Sequence, residues 1–170
     1  MPKIEDESAK LVELRDANEA KLSASPLSTS RIIDCDAAPF IPGNWSEVEH
    51  KPGGQLEFDP GKIILHLDEG QQEGRTIVGN ELRSRLADKP VLNACVLDHL
   101  LANAALIPES WKYDEQGRTR CIYFWGTIYR GSNDSLCVRY LYWDGGDWVW
   151  SYRWLDFGWD VQNPAALLAS

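Results

Sequence analysis

The sequence predicts an α+β fold: an antiparallel, aromatic-rich β-meander over residues 119–155, extended by a hairpin over 55–67 and packed on one side by short helices. Three observations predict it. Residues 119–155 alternate in side-chain character with a period of two, built around Trp and Tyr, which is the pattern of paired strands. Asp144-Gly145-Gly146-Asp147 interrupts that run with two glycines, which supply the positive φ angles of a two-residue hairpin loop. Ala94–Asn103 repeats apolar residues at helical spacing (Val96, Leu97, Leu100, Leu101) behind Asn93, a capping residue type.

The remaining elements follow in chain order. Residues 4–22 are rich in helix formers, but their apolar stripe (Ile4, Leu11, Val12, Leu14) is thin, and SASPLSTS over 23–30 is a polar linker. Residues 1–30 therefore read as a flexible or marginally helical arm, and 31–170 as one α+β domain. Arg31-Ile32-Ile33 opens a strand that runs into Asp34-Cys35-Asp36, and a Pro- and Gly-punctuated stretch follows through Gln55. Gln55–Phe58 and Lys62–Leu67 read as strands joined at Asp59-Pro60-Gly61. Residues 79–87 read as a short helix with Leu82 and Leu86 inward. A helical turn is expected from Pro108 to Trp111, and a capped final turn from Asn163-Pro164 through Leu168.

The meander is drawn as Thr119–Arg130, Ser135–Trp143 and Trp148–Leu155. An even-numbered first loop places Ile122, Phe124, Ile128, Leu141, Trp143, Trp148, Trp150, Tyr152 and Trp154 on one face, with Cys137 and Arg139. That is the expected core face. A three- or five-residue loop would invert the first strand. Arg139, opposite Gly126 and Tyr152, is expected to lie over an aromatic ring or at the rim, in a structural rather than an active-site role. The second face carries Tyr123, Trp125, Thr127, Tyr129, Tyr140, Tyr142, Ser151 and Arg153. Aromatic rings with polar tips offer large contact area and few rotors to freeze, as recognition surfaces need. Tyr123, Trp125, Tyr140, Tyr142 and Arg153 are therefore the candidate binding residues. The competing reading is that other elements of the chain cover this face.

Composition narrows the function classes. The chain of 170 residues has a formal net charge of −9 and eight Trp. A low isoelectric point, about 4.8, argues against binding along a duplex nucleic acid, which needs clustered Lys and Arg. No apolar run approaches the length of a membrane span, and the charged N-terminus lacks the apolar core of a signal peptide, so a cytoplasmic location is expected. Cys35, Cys95, Cys121 and Cys137 are widely spaced and read as buried thiols. His50, His66 and His99 show no metal-ligand spacing, so neither metal nor cofactor is expected. Asp34-Cys35-Asp36 is the most site-like acidic pair, and with His50 it defines an alternative, enzymatic reading. An Asx-type turn explains the same pair without chemistry. Asp156-Phe157-Gly158 looks like a kinase fragment but stands without the other kinase elements.

Several strings look familiar together: IDCDAAPF, EHKPGGQ, VLNACVLDHLLAN, LIPESWK, YFWGTIYR and VRYLYWDGG. They resemble an uncharacterised family of bacterial proteins with no assigned activity. The resemblance spans about Arg31 to the C-terminus and implies a bacterial or phage-like source and one continuous domain after the arm. It implies no catalytic residue. The expected function is therefore a non-catalytic intracellular protein-binding domain, of regulator or inhibitor type, that uses the Tyr-bearing sheet face. The alternatives are a small-ligand or carbohydrate-binding module, an enzyme using Asp34, Asp36 and His50, and a homodimer seam on the same face.

Overall fold

The computed structural model describes residues 30–169, and the arm expected over 1–30 lies, apart from Ser30, outside the described residues. The α+β class is as expected. Strands β1 (Ile32–Asp34), β2 (Ser46–His50), β3 (Gln55–Glu57), β4 (Ile63–His66) and β5 (Ile77–Val78) precede two helices, α1 (Gly79–Arg85) and α2 (Ala94–Ala102). Strands β6 (Ile122–Tyr123), β7 (Thr127–Arg130), β8 (Leu136–Trp143), β9 (Trp148–Trp154), β10 (Gly158–Trp159) and β11 (Ala165–Leu168) follow.

The meander is the centre of a seven-stranded sheet. Strand β8 is its spine and pairs with β9 over its whole length, from Cys137 opposite Trp154 to Trp143 opposite Trp148. The turn between them closes with Asp144 N donating to Asp147 O at 3.1 Å. Gly145 takes φ +99°, so the first glycine carries the conformation that the loop demands. On its other flank β8 meets β7 and β6 end to end, and there the sheet forks. One branch continues from β7 to β2, and the other from β6 through β11 to β4.

The fork explains a departure from the expected register. Arg130 pairs with Leu136, which leaves a five-residue loop and inverts β7, as an odd loop must. Tyr129 therefore shares a face with Cys137 on the Trp side, and Ile128 turns to the Tyr side. Residues 124–126 then bulge, and the original parity returns at Tyr123 opposite Tyr140. Gly126 sits where the backbone of 91–93 wedges into the fork. Its N–H donates to Leu92 O at 2.9 Å, and its carbonyl accepts from Lys51 N at 2.7 Å.

Three pairings differ from expectation. The 55–67 hairpin does not form: β3 pairs with β1 in a separate two-stranded sheet, and only β4 reaches the main sheet, through β11. Residues 165–168 are a strand, not a helical turn, because β4 and β6 offer them backbone partners on both sides. Helices also cover both faces of the sheet rather than one. Helix α2 buries Val96, Leu97 and Leu100 against Ile122, Phe124, Leu141 and Trp150. Helix α1 and the residue that follows it bury Leu82 and Leu86 against Tyr123, Trp125, Ile128 and Val138. Each fully buried side chain of this kind contributes roughly 1.5–3 kcal/mol.

Asn93 joins these layers. Its Oδ1 accepts from Cys95 N at 3.0 Å and caps α2, while its Nδ2 donates to Cys35 O at 2.9 Å and to Lys51 O at 2.8 Å. Arg139, only 1% exposed, reaches from β8 to α2 and donates to both carboxylate oxygens of Asp98, at 2.7 and 3.0 Å. Its guanidinium lies 3.9 Å from the Trp150 ring centroid, the structural cation–π role expected of it. Among the described residues no helix is long and apolar enough to cross a membrane.

Candidate functional site

The five candidate binding residues do not share one environment. Tyr123 is fully buried and Trp125 is 3% exposed, because α1 and the 155–159 segment pack over them. The second face is thus covered at its centre. Tyr140, Tyr142 and Arg153 are half-buried and border the part that remains open.

The two groups are joined by ring contacts. Trp125 meets Trp159 at 5.3 Å between centroids, Trp159 meets Tyr123 at 5.3 Å, Tyr123 meets Tyr140 at 4.7 Å, and Tyr140 meets Tyr142 at 5.5 Å. This ladder leads from sealed core to surface, and each aromatic pair adds roughly 0.5–1.5 kcal/mol beyond its burial. Arg153 is held beside it: Nε donates to Gly158 O at 2.9 Å, and the guanidinium lies 5.5 Å from the Trp159 ring and 5.6 Å from the Phe157 ring. Phe157 is 48% exposed, which places a large apolar ring on the surface beside Arg153. Sequence reasoning missed it, since Asp156-Phe157-Gly158 drew attention only as a chance motif. The usable signal was Gly158, a glycine directly after an aromatic residue at the end of a strand.

The phenols of this strip stay protonated at neutral pH. Burial pushes Tyr140 up to about 12, burial and the nearby Asp144 carboxylate raise Tyr142, and burial holds Tyr123 well above its ordinary value. All three stay protonated, so the open edge offers hydroxyl donors, ring faces and one guanidinium. That combination suits contact with a protein surface.

The alternative cluster folds together around the N-terminus of α2. Asp34 Oδ1 accepts from Asp36 N at 3.0 Å in an Asx turn, and Asp36 Oδ1 accepts from Gly54 N at 3.0 Å, so each carboxylate orders local backbone. His50 Nε2 lies 3.0 Å from Ala37 O and 3.8 Å from Cys95 Sγ, and its Nδ1 lies 2.8 Å from Thr127 Oγ1. A cysteine beside a histidine invites a nucleophilic reading. The hydrogen bonds oppose it. Ala37 O can only accept, so His50 Nε2 carries hydrogen and donates to it, leaving no lone pair there for the thiol. In the neutral ring Nδ1 is then the acceptor and takes the proton of Thr127 Oγ1, which itself accepts from Ala94 N at 2.9 Å. Cys95 itself donates to Ala37 O at 3.4 Å. Among the described residues no three potential metal ligands gather into a site.

Burial, then the neighbouring Cys35 and Asp98, push the Cys95 thiol up to about 12, and burial with Asp36 and Asp34 pushes Cys35 up to about 11. Iodoacetamide at pH 8 should alkylate both at least about a hundredfold more slowly in the folded chain than in denaturant, because the thiolate is the reacting form. Labelling of folded Cys95 at the denatured rate, read by mass spectrometry, would show that His50 takes its proton. The same raised values carry a sign for stability. The unfolded chain releases these protons from about pH 8.5, whereas the folded chain retains them. Stabilisation is therefore complete below that pH and is lost as pH rises toward 11–12.

No protein-family model, curated protein or solved structure matches the chain.

Proposed function

We propose that the chain is a non-catalytic binding domain that engages another protein through Tyr140 and Tyr142, at the open end of its aromatic ladder, together with Arg153 and Phe157 on the same face. One observation carries this. A continuous chain of ring contacts anchored in the core delivers half-buried Tyr140 and Tyr142 to the surface, on the same sheet face as Arg153, whose guanidinium lies against an exposed Phe157. Rings already held by packing lose little conformational entropy on binding, and Tyr and Arg are the side chains that dominate interface energies. Tyr123 and Trp125 support the strip from beneath rather than touching the partner. The His50 region supplies no competing reading, because its ring is committed to Thr127 and Ala37.

The test is affinity capture from the native cell with the wild-type chain, a Tyr142→Ser/Phe157→Ser double variant, and an Ile64→Ser control on exposed β4. Sedimentation of each chain alone reads self-association. The wild type and the control should capture the same protein, and the double variant should lose it by about a hundredfold while keeping its melting temperature. Equal capture by all three chains would contradict the proposal. Self-association lost in the double variant would assign the strip to a homodimer instead.

A further inference from the structure

The covered face contains a cavity that the binding strip does not use. A cleft of about 120 Å³ opens where β2 and β7 meet the C-terminal end of α1. Its apolar side is formed by Leu86, Trp125 and Ile128, all buried, with half-buried Val91. Its charged side is formed by Glu49, Lys51 and Arg83, whose side chains are 39%, 33% and 33% exposed and so reach solvent. A small amphipathic molecule meets both kinds of surface there.

Two properties narrow its chemistry. Arg83 Nη2 donates to Glu49 Oε2 at 3.0 Å, and Lys51 Nζ stands 4.0 Å from Glu49 while donating to Ala87 O at 3.1 Å. Among the described residues two cations thus share one carboxylate, which leaves one positive charge over within a chain of net charge −9. The second property is the Trp125 indole N–H, which is buried and has no hydrogen-bond acceptor among the described residues. Buried donors are nearly always paired, so an acceptor that reaches this one from the cleft is favoured. Lys51, Arg83 and the indole all donate, so an amine finds no counterpart beyond Glu49, which is already paired. A dianion overshoots the charge balance.

We propose that this cleft binds a small monocarboxylate with a short apolar body. One carboxylate neutralises the charge that Lys51 and Arg83 leave over and gives the indole N–H an acceptor oxygen. The hydrocarbon rests on Leu86, Val91 and Ile128. A dry cavity of ~150 Å³ takes benzene, so about 120 Å³ suits a body of roughly four to six carbons. The site shares Trp125 with the ladder beneath the Tyr140–Phe157 strip but none of the strip's own residues, and stands whether or not that strip binds a protein.

The test is nitrogen-15 NMR of the full chain, following the Trp125 indole resonance, assigned by its loss in Trp125→Phe. Titration with valerate should shift that resonance saturably, while pentanol and inorganic phosphate should not. Arg83→Gln should weaken valerate binding about tenfold, and Glu49→Gln should strengthen it several-fold by removing the competing carboxylate. Ala87→Leu, at an exposed position on the rim, should block it without unfolding the chain. Tyr142→Ser/Phe157→Ser should leave the titration unchanged, which separates this site from the strip. Absence of a saturable shift, an equal response to pentanol, or indifference to Arg83→Gln would each overturn the proposal.

Discussion

Asp98→Ala should cost the fold roughly 3–5 kcal/mol, because it leaves the Arg139 guanidinium charged, buried and unpaired. Arg139 is 1% exposed and has no solvent to fall back on, whereas Asp98 lies nearer the surface. Burial opposes the charge on Arg139, but Asp98 outweighs it and holds the guanidinium's proton more firmly than usual. The pair pins α2 to β8, so its loss loosens the layer that covers the Trp face. Replacing both partners, as Asp98→Leu with Arg139→Met, should recover most of the loss, since neither charge is then stranded. Urea unfolding of Asp98→Leu, Arg139→Met, the double variant and the wild type gives the coupling as a double-mutant cycle. Additive losses would mean that Trp150 and Phe40, which also flank the guanidinium, hold Arg139 without help from Asp98.

Gly126→Ala should cost about 3 kcal/mol or more, or prevent folding, for a steric reason. A Cβ there would stand 2.7 Å from Asn93 Cα, 2.7 Å from its Cβ and 2.8 Å from its N. Those atoms belong mainly to backbone, so no rotamer change relieves the contact. Asn93 is itself fixed by three hydrogen bonds, and moving it would uncap α2 and release Cys35 O and Lys51 O. By contrast, Gly146→Ala in the β8–β9 turn meets no atom within 4 Å, and the site does not carry a positive φ. The two substitutions differ by one methyl group in different places. Thermal melts should therefore separate them widely, with Gly146→Ala close to wild type, and equal melting temperatures would mean that the fork has room to yield.

The parts of the fold legible in the sequence were those set by local pattern. Alternation along 136–154, with two glycines at its midpoint, was enough for the β8–β9 register and its Trp-bearing face. Asn93 ahead of a helical apolar stripe was enough for α2 and its cap. Long-range choices were not legible. Residues 122–130 alternate without a visible break, yet the five-residue loop after Arg130 inverts β7 and the 124–126 bulge restores β6. The two changes of parity cancel, so Tyr123 and Trp125 were placed on the right face while Ile128 and Tyr129 were exchanged. Gly126 inside a strand was the local sign of that bulge.

The covering of Tyr123 and Trp125 was hidden for a related reason. Leu82 and Leu86 announce a helix with an inward stripe, but a stripe does not say which face of a sheet it meets. Ala165-Ala166-Leu167-Leu168 shows the same limit, since good helix formers become a strand where two strand edges need a partner. For the candidate site, residue types on β8 and β9 were sufficient to nominate Tyr140, Tyr142 and Arg153. Phe157 was not nominated, because its place depends on how the chain turns after Trp154, with Phe157 N donating to Trp154 O at 3.0 Å.

Helix α1 and the 155–159 segment seal the centre of the second sheet face, and Tyr140, Tyr142 and Phe157 are the residues through which we propose that a partner binds. Hydroxyl-radical footprinting of aromatic side chains, on the free chain and on the captured complex, tests both halves at once. In the free chain Tyr142, Phe157 and Tyr113 should react while Tyr123, Trp125 and Trp159 stay protected, in keeping with exposures of 48% at Phe157, 46% at Tyr113 and 3% at Trp125. In the complex Tyr142 and Phe157 should become protected while Tyr113 continues to react. Reactive Tyr123 and Trp125 in the free chain, or a complex that shields Tyr113 and leaves Tyr142 and Phe157 open, would contradict the claim.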